Sequence, residues 1–440
     1  MKRTVFFTVL LTATIAIPMQ TRAENLLEIY DEALSSDPQL AAALFRRDSV
    51  LESRPQSLAR LLPTLSASAG ANATRQDVTS SPFPNNSGVE NYTDDNIRLD
   101  LYQPVYHHDY WVQLSQADRF IAQAEAEYQA AQQDLMIRAA LSYFAVLASK
   151  DELVFATAEK EAIARQLEQA KVRFEVGLIA ITDVHEAQAG FDQARAGEIF
   201  AQNEVEHAWE VLHEIINRRP DELTPLTEKL PLIKPDPMDV EAWRLAAVAG
   251  NMELTAARAG TEAVKENVSI QRSGHYPTLD IVGSMGLDDT DKSTGFSTDT
   301  RSIGLQLNVP IYEGGGVNSR TRQAQYDFHE AQRNLDKTYR SVERQVKDAF
   351  RDVLTSISQV EALGAAVTSS KSALEATEAG FEVGTRTMVD VLAEQRNLYR
   401  AKRNYSDTRY AYILNGLELK QAAGNLSRLD IEEVNKVLGK

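Results

Sequence analysis

The charged residues with the most informative spacing lie in a segment that the chain contains twice. FEVGLIAITDV, from Phe174 to Val184, returns as FEVGTRTMVDV, from Phe381 to Val391. Asp183 and Asp390 occupy equivalent positions, whereas Arg386 has an isoleucine as its counterpart in the first copy. Arginine and aspartate four residues apart can form an ordinary surface pair on a helix, which contributes about 0.3–0.5 kcal/mol. These residue types indicate charge pairing and cation binding.

The same segment contains the signals that end one helix and begin another. Gly177 and Gly384 are natural helix stops, since glycine adopts the left-handed conformation that follows a helix without a steric cost. Thr182 and Asp183 in the first copy, and Thr387 in the second, are candidate caps of the next helix. The sequence therefore predicts two helix–turn–helix tips, and simple turn geometry alone would also explain the glycines.

Other residues that could do chemistry lack the spacing that a site needs. His107 and His108 have no third ligand at a suitable distance in sequence, so they are interpreted as surface residues at a strand end. Gly314 to Gly316 lack the lysine of a phosphate loop, and the acidic stretch 288–294 lacks the glycine and final glutamate of an EF-hand. No Ser/His/Asp arrangement or catalytic carboxylate pair is evident. We expect no enzyme activity, no metal and no cofactor.

The chain begins with the layout of a secretory signal peptide. Lys2 and Arg3 precede an apolar run from Val5 to Ile17, and small residues lead to Ala23. Cleavage after Ala23 would leave Glu24 as the first residue. The apolar run is too short to span a bilayer comfortably, and no later run reaches the roughly 20 residues that a transmembrane helix needs.

The composition favours an exported, acidic protein. The 440 residues include 46 Lys and Arg, 63 Asp and Glu, and no cysteine. Without the three basic residues of the leader, 43 basic residues face 63 acidic ones, a net charge of −20. This balance disfavours nucleic acid and suits a pathway for cations, although a well-hydrated surface would have the same charge. The absence of cysteine excludes disulfides and an N-terminal lipoprotein anchor.

The duplication extends well beyond the tips. IRLDLYQPVY, from Ile97 to Tyr106, matches IGLQLNVPIY, from Ile303 to Tyr312, and LLPTLSASAG at Leu61 resembles HYPTLDIVGS at His275. Differences in length fall in polar stretches at 80–95 and 288–300, which we interpret as loops. The predicted organisation is a signal peptide (1–23), a first structural repeat (24–219), an inter-repeat linker or equatorial segment (220–237), a second repeat (238–424) and a C-terminal tail that joins the equatorial segment (425–440).

Each repeat is predicted to contain one β-hairpin. Four segments alternate apolar and polar residues: 65–74, 97–103, 278–287 and 302–309. Long polar loops join them in pairs, as in transmembrane β-strands. Four strands cannot close on themselves, and open edges are not tolerated in hydrocarbon, so several subunits would have to share one barrel. Two copies would give a filled eight-stranded barrel, and three would give twelve strands around a lumen.

The rest of the chain is predicted to be long helix. Between Trp111 and Arg173 there is no proline or glycine, which allows a helix of about 60 residues and about 90 Å. Apolar residues begin with heptad spacing, and alanine recurs at the seam, which allows neighbouring helices to approach closely. The fold class is therefore mainly α with β, in an internally duplicated protomer.

These segments together resemble the TolC family of outer-membrane efflux and type I secretion channels. The resemblance rests on ENLLEIYDEA at Glu24, RFEVGLIAITDV at Arg173, PTLD at Pro277, VPIYEGGGVNS at Val309 and FEVGTRTMVDVL at Phe381, and it covers nearly the whole mature chain. It implies the outer membrane factor fold: a homotrimer in which a 12-stranded β-barrel continues into a 12-helix α-barrel. It also implies contact with outer-membrane lipid, a periplasmic adaptor, and an inner-membrane ABC exporter or proton-driven pump.

The resemblance also assigns roles at the tips. Asp183 and Arg386, with Thr182 and Phe381, would form the periplasmic gate, and Asp390 would belong to an acidic ring that selects cations. The residues that match the adaptor-docking grooves are Gly177, Leu178, Gly384 and Thr385.

Two positions depart from the family pattern. Phe381 stands where a tyrosine commonly donates a hydrogen bond, and Ala393 stands where a second ring aspartate is often found. These departures predict a looser closed state and weaker cation binding.

The alternative is a periplasmic coiled-coil protein or adaptor that forms no pore. An adaptor would carry a lipoyl-like β module between its helices, and none is visible in the sequence. The sequence does not identify the exported cargo.

Overall fold

The order of helices and strands repeats along the chain. The computed structural model describes residues 23–80, 88–292, 295 and 297–439. The first series is α1 (Leu26–Ser36), α2 (Pro38–Leu51), α3 (Ser53–Ala59), β1 (Thr64–Val78), β2 (Gly88–Tyr106), α4 (His108–Glu175) and α5 (Ile181–Ile216). The second is α6 (Val240–Gly250), α7 (Met252–Arg272), a 3-10 turn (Ser273–His275), β3 (Thr278–Thr290), β4 (Thr298–Asn308), α8 (Gly316–Glu382) and α9 (Met388–Ala422), and it is followed by α10 (Arg428–Asn435). Apart from Ala23, the predicted signal peptide lies outside the described residues.

The two hairpins join into one antiparallel sheet with the strand order β1-β2-β3-β4. The register of the hairpins is the same: Thr64 pairs with Tyr102 in the first, and the equivalent Thr278 pairs with Asn308 in the second. Strands β2 and β3 join the hairpins, with Tyr102 opposite Val282. The outer edges of β1 and β4 have no partner strand within the described part of this single chain.

The register places apolar side chains on one face of the sheet. One row across the strands is Leu65, Leu101, Gly283 and Ile303, and the adjacent row on the opposite face is Ser66, Asp100, Ser284 and Ser302. The large apolar side chains that are exposed on the first face are Leu65, Ile97, Leu99, Met285, Leu287, Ile303, Leu305 and Leu307. A sheet in water would bury such a face, so this face requires a non-aqueous neighbour.

The strands are longer than the alternation predicted, and the loops are correspondingly shorter. Residues 88–95 belong to β2, 288–290 to β3 and 298–300 to β4, so the interpretation of 80–95 and 288–300 as loops was wrong over these parts. Near the turns both faces of the strands are polar, as in Asp94, Asp95 and Asp289, and the alternation that reveals a strand disappears there.

Two very long helices extend from the sheet. Helix α4 has 68 residues and α8 has 67, which corresponds to about 100 Å each. Helix α5 packs along α4, α9 packs along α8, and α4 also contacts α9. In the described part of the chain, no helix combines the length and the apolar character that crossing a membrane requires.

The largest core lies where the short helices meet α4, α5 and α9. Tyr143 and Phe144 of α4 are buried there with Leu26 and Leu212, and Leu223 and Leu438 bring the inter-repeat segment and the C-terminus into the same cluster. The Tyr143 hydroxyl donates a hydrogen bond of 2.7 Å to the Thr224 carbonyl. Buried side chains at this level join α4 and α5 of the first repeat to α9 of the second.

Candidate functional site at the helix tips

Each long helix ends at a glycine in the left-handed conformation. Gly177 has a φ of 74° and Gly384 a φ of 78°, a region that residues with a side chain rarely adopt. The amide of Leu178 donates to the Arg173 carbonyl at 2.8 Å, and the amide of Thr385 donates to the Gly380 carbonyl at 2.8 Å. These bonds satisfy carbonyl groups that would otherwise lack a hydrogen-bond donor at the end of each helix. The prediction of two helix–turn–helix tips is confirmed.

The tips differ in how the second helix begins. Thr387 is the N-cap of α9, and its hydroxyl accepts a hydrogen bond from the Asp390 amide. The equivalent residue Ala180 is the N-cap of α5 and has no side-chain oxygen to offer. Thr182 and Asp183 both lie inside the first turn of α5, so their interpretation as caps was wrong, whereas the prediction for Thr387 is confirmed.

Phe381 joins the two tips by packing. Its ring contacts a buried cluster that contains Ile163 and Leu167 of α4 with Met388 and Leu392 of α9. Arg173, at the end of α4, places its guanidinium 5.0 Å from the centroid of the Phe381 ring. A cation over an aromatic face is attracted by the ring quadrupole. Phe381, which lacks the hydroxyl of a tyrosine, therefore contacts both apolar side chains and a cation of the first repeat.

The role of Arg173 was not predicted, although the residue belongs to the repeated motif. Gly380 is its counterpart in the second copy, and a side chain at Gly380 would come within 2.8 Å of the Arg386 Cγ. Each tip thus has one arginine beside its turn, placed before the glycine in the first copy and after it in the second. Comparison of the two copies position by position reveals this exchange.

The two charges that the resemblance pairs in the gate are both without an ion-pair partner in the single chain. Within the described residues, neither Asp183 nor Arg386 has an oppositely charged group within 4 Å, and the surface pair between Arg386 and Asp390 is not formed. Arg386 is exposed, and Asp183 is half-buried. Both are accessible to another copy of the chain, and their assignment to a gate stays a prediction.

Asp390 instead bonds to the cap of its own helix. Its Oδ2 accepts hydrogen bonds of 2.9 Å from both the amide and the hydroxyl of Thr387. These bonds, followed by the nearby Arg386 guanidinium, lower the pKa of Asp390 below its ordinary value of 3.8. The carboxylate is therefore negative at every physiological pH, which a cation-binding position requires.

The outer surface of the tips is apolar. Leu178 is 72% exposed and Val383 is 76% exposed, on either side of the glycine turns. Gly177 and Gly384 have open space where a side chain would project, so a partner could approach the backbone closely. This surface contains all four residues of the predicted docking grooves, and that role also stays a prediction.

The remaining candidates for metal chemistry are engaged in structural contacts. His107 is buried and bonds through Nε2 to the Asp280 carboxylate at 2.8 Å, so its interpretation as a surface residue was wrong. Across the described segments, no group of three or more His, Cys, Asp or Glu side chains is arranged to hold a metal ion.

Comparison with known proteins places this architecture among outer-membrane channels. The profile of the family described as "Outer membrane efflux protein" matches residues 29–218 and 243–425. The chain is 41% identical over 418 residues to the outer membrane protein TolC of Vibrio cholerae, covering 94% of this chain and 93% of that protein. It is 36% identical over 433 residues to TolC of Escherichia coli, covering 96% of this chain and 86% of that protein.

A solved structure shares the fold at low sequence identity. The Campylobacter jejuni CmeC outer membrane channel superimposes with a TM-score of 0.79 at 17% identity, over 94% of this chain and 90% of that one. The helix tips and the sheet with one apolar and one polar face are consistent with the family match and with the two relatives. The extent of the family match and the identity to the two relatives show that the chain belongs to the outer membrane efflux protein family.

Proposed function

We propose that three copies of this chain form a channel through the outer membrane, with a helical tunnel that reaches into the periplasm and carries export substrates outward. The observation that carries the proposal is the sheet, which has one exposed apolar face, one polar face and two open edges. In a barrel the apolar face contacts lipid, and the polar face lines water. Three copies provide twelve strands, enough for an open lumen.

The duplication supplies a template for the contact between copies. Within one chain, β2 pairs with β3, and Asn96 lies opposite Asp288. Because β4 is the repeat of β2 and β1 is the repeat of β3, β4 of one copy pairs with β1 of the next in the same way. In this register Ser302 of one copy lies opposite Thr74 of the next.

Below the barrel, helix pairs from the first and the second repeat alternate around the tunnel. Helices α4 and α5 form one pair and α8 and α9 the other, so three copies give twelve helices around the tunnel. Six tips then meet at the periplasmic end, where Asp183 of one tip and Arg386 of another would pair and hold the mouth closed. Thr182 and Phe381 lie beside that contact, and the Asp390 carboxylates form an acidic ring.

The partners follow from where the channel ends. It spans only the outer membrane, so an inner-membrane ABC exporter or proton-driven pump must supply substrates and energy. A periplasmic adaptor would bind the apolar surface around Gly177, Leu178, Gly384 and Thr385. The channel performs no catalytic step, and the pump selects the cargo.

Planar-bilayer recording of the purified mature chain tests the proposal. The expected result is a trimer that inserts and gives stable single-channel steps at neutral pH. A chain that remains monomeric in water and never inserts would support the periplasmic coiled-coil alternative.

A further inference from the structure

The two repeats allow each contact near the helix tips to be compared with its counterpart. An interval of 207 residues relates Phe174 to Phe381, and the same interval relates the C-terminal end of α4 to that of α8 and the start of α5 to that of α9. Within one chain, α9 packs beside α4 and α5. In the proposed trimer, on which this inference rests, α5 of one copy therefore packs in the same way beside α8 and α9 of the next copy.

Leu392 occupies the contact within one chain. It is buried on α9 in an apolar cluster that includes Ile163 and Leu167 of α4 and Ala187 of α5. A Cβ added to Gly190 of α5 would lie 3.4 Å from the Leu392 Cδ1 and 3.6 Å from the Ile163 Cγ2. The leucine side chain thus fills a small apolar recess between α4 and α5.

The counterpart of Leu392 on α5 is a histidine, His185. His185 is exposed in the single chain, although Leu392 is buried. Among the described residues, His185 has no oppositely charged group within 4 Å. A recess as apolar as the one around Leu392 would not suit a histidine, because burial of a polar group without a hydrogen bond costs free energy.

The recess that would receive His185 is polar instead. It lies between α8 and α9 of the neighbouring copy, and Leu374 takes the place of Leu167 in it. The residues at the positions of Ile163, Ala187 and Gly190 are, in that order, Ser370, Glu394 and Asn397. The histidine and the polar lining therefore occur on the two sides of the same contact.

Hydrogen bonds hold the acidic group of this recess in place. The Asn397 amide nitrogen donates to the Glu394 Oε2 at 3.4 Å, and Arg400 donates to the Asn397 side-chain oxygen at 2.6 Å. Glu394 and Asn397 are both half-buried, and within the described segments Glu394 has no cationic group within 4 Å. The Glu394 carboxylate can therefore accept a further N–H donor from another copy.

The charged groups near this contact favour a protonated histidine. Arg386, at the position of Ile179 beside the Leu392 cluster, acts against the protonated form, although the proposed gate pairs Arg386 with Asp183. The other charged side chains nearby are Lys371, Glu375 and Glu378 of α8, Glu394 and Arg400 of α9, and Glu186 of α5. Acidic groups outnumber basic ones around the ring, which stabilises its cationic form.

We propose that His185 of each copy fits between α8 and α9 of the next copy and pairs there with Glu394, which gives the trimer three proton-dependent contacts beside its tips. The protonated imidazole is a cation, so the ion pair forms in acid and is lost as the pH rises and the ring loses its proton. Histidine is the side chain whose ordinary charge change falls closest to neutral pH. The contact between neighbouring tips is therefore tighter at acidic than at alkaline pH.

Cysteine pairs test the position of His185, because the chain has no cysteine of its own. In trimers of the full chain in detergent, a short bifunctional maleimide should join His185→Cys of one copy to Asn397→Cys of another, which a denaturing gel detects. Leu392→Cys with Gly190→Cys is the matched pair within a chain, and its reaction shows that the reagent spans this contact. His185→Cys with Asn404→Cys lies two turns further along α9 and should not link chains.

Titration tests the ion pair itself. Labelling the histidines with 13C gives one NMR signal for each ring, and the signal that is missing from His185→Gln identifies His185. In the trimer, Glu394→Gln should lower the midpoint of the His185 titration by about one pH unit, since it removes the opposite charge. Glu361→Gln removes an exposed carboxylate elsewhere on α8 and should leave the midpoint unchanged.

Three results would overturn the proposal while trimers still form. They are no link between positions 185 and 397, an equally strong link between 185 and 404, and an unchanged titration midpoint in Glu394→Gln. Ser370→Cys replaces Asn397→Cys if that variant does not assemble. These three results would leave the proposed channel standing, whereas a chain that forms no trimer at all would refute the proposed function together with this contact.

Discussion

Thr387 and Asp390 cap helix α9 reciprocally, because each accepts a hydrogen bond from the backbone amide of the other. The equivalent pair in the first copy is Ala180 and Asp183, and Ala180 cannot take part in such a cap. The two tips therefore differ: Asp390 is bonded to its own helix, whereas Asp183 has no ion-pair partner among the residues that the structure describes. Asp183 is the better partner for an arginine from another tip.

Replacement of Asp390 is expected to weaken block by multivalent cations. Asp390→Ala removes one carboxylate from each copy and so three from the proposed ring, which lowers the local negative potential. The measurement is the concentration of a trivalent cation that halves single-channel conductance at pH 7. Equal block before and after the substitution would remove Asp390 from the ring.

The pH dependence of that block gives a second readout. Because the pKa of Asp390 is lowered by its bonds to Thr387, the carboxylate stays charged, and block persists, until the pH falls below the ordinary value of 3.8. Thr387→Ala removes the hydroxyl bond, so block should be lost at a higher pH than in the unmodified channel. A shift toward lower pH would contradict the capping account.

Arg386→Ser is expected to raise single-channel conductance and to admit large antibiotics, since it removes the cation from the proposed gate. Arg333→Ser is a matched control, because Arg333 is an exposed arginine on α8 whose partner is Asp336 of the same helix. The control should leave conductance unchanged. Unchanged conductance in both variants would reject the gate assignment.

The contact between Asp37 and Arg138 is expected to make the first repeat acid-sensitive. Asp37 is buried at the start of α2 and accepts bonds of 3.0 and 2.7 Å from the guanidinium. Burial acts to raise the pKa of Asp37, but the bonds from Arg138 and from the Leu40 amide outweigh it and hold the pKa below 3.8. The contribution of the Asp37–Arg138 ion pair to the free energy of unfolding is complete well above pH 4. It declines as the pH falls through the lowered pKa of Asp37.

Arg138→Ala leaves that buried carboxylate without its cation, and the cost should be about 3–5 kcal/mol of unfolding free energy at pH 7. Gln345→Ala is the control, since Gln345 and Asn251 are the uncharged counterparts of Arg138 and Asp37 in the second repeat. Denaturant unfolding followed by circular dichroism measures both. Equal losses of unfolding free energy in Arg138→Ala and Gln345→Ala would show that the ion pair stabilises the chain no more than the uncharged contact does.

The sequence predicted the long helices and the hairpins because both have a regular pattern. The run from Trp111 to Arg173 lacks helix breakers, and α4 extends only a few residues beyond it at each end. The strands around Ile97 and Ile303 alternate strictly, and their pairing follows the duplication. The strand ends near Asp95 were missed because side chains there are polar on both faces.

Contacts between the two repeats could not be predicted from the sequence pattern. Nothing in the sequence pattern indicates that Arg173 and Phe381 meet, since 208 positions separate them. The contact depends on how α4 packs against the second tip. His107 was placed at the surface because the sequence gives no sign that Asp280 of β3 lies beside it. The caps differ because a single residue, Ala180 against Thr387, changes the local bonding.

The central claim is that sister copies complete the wall, and cross-linking across the open sheet edges tests it most directly. In the full chain carrying Ser302→Cys and Thr74→Cys, oxidation in the outer membrane should join chains into covalent trimers. Ser302→Cys with Ser68→Cys, which faces the same side but lies six residues out of register, should not link. A chain that gives no covalent oligomer with the first pair, or that links as well with the second, would contradict the shared barrel.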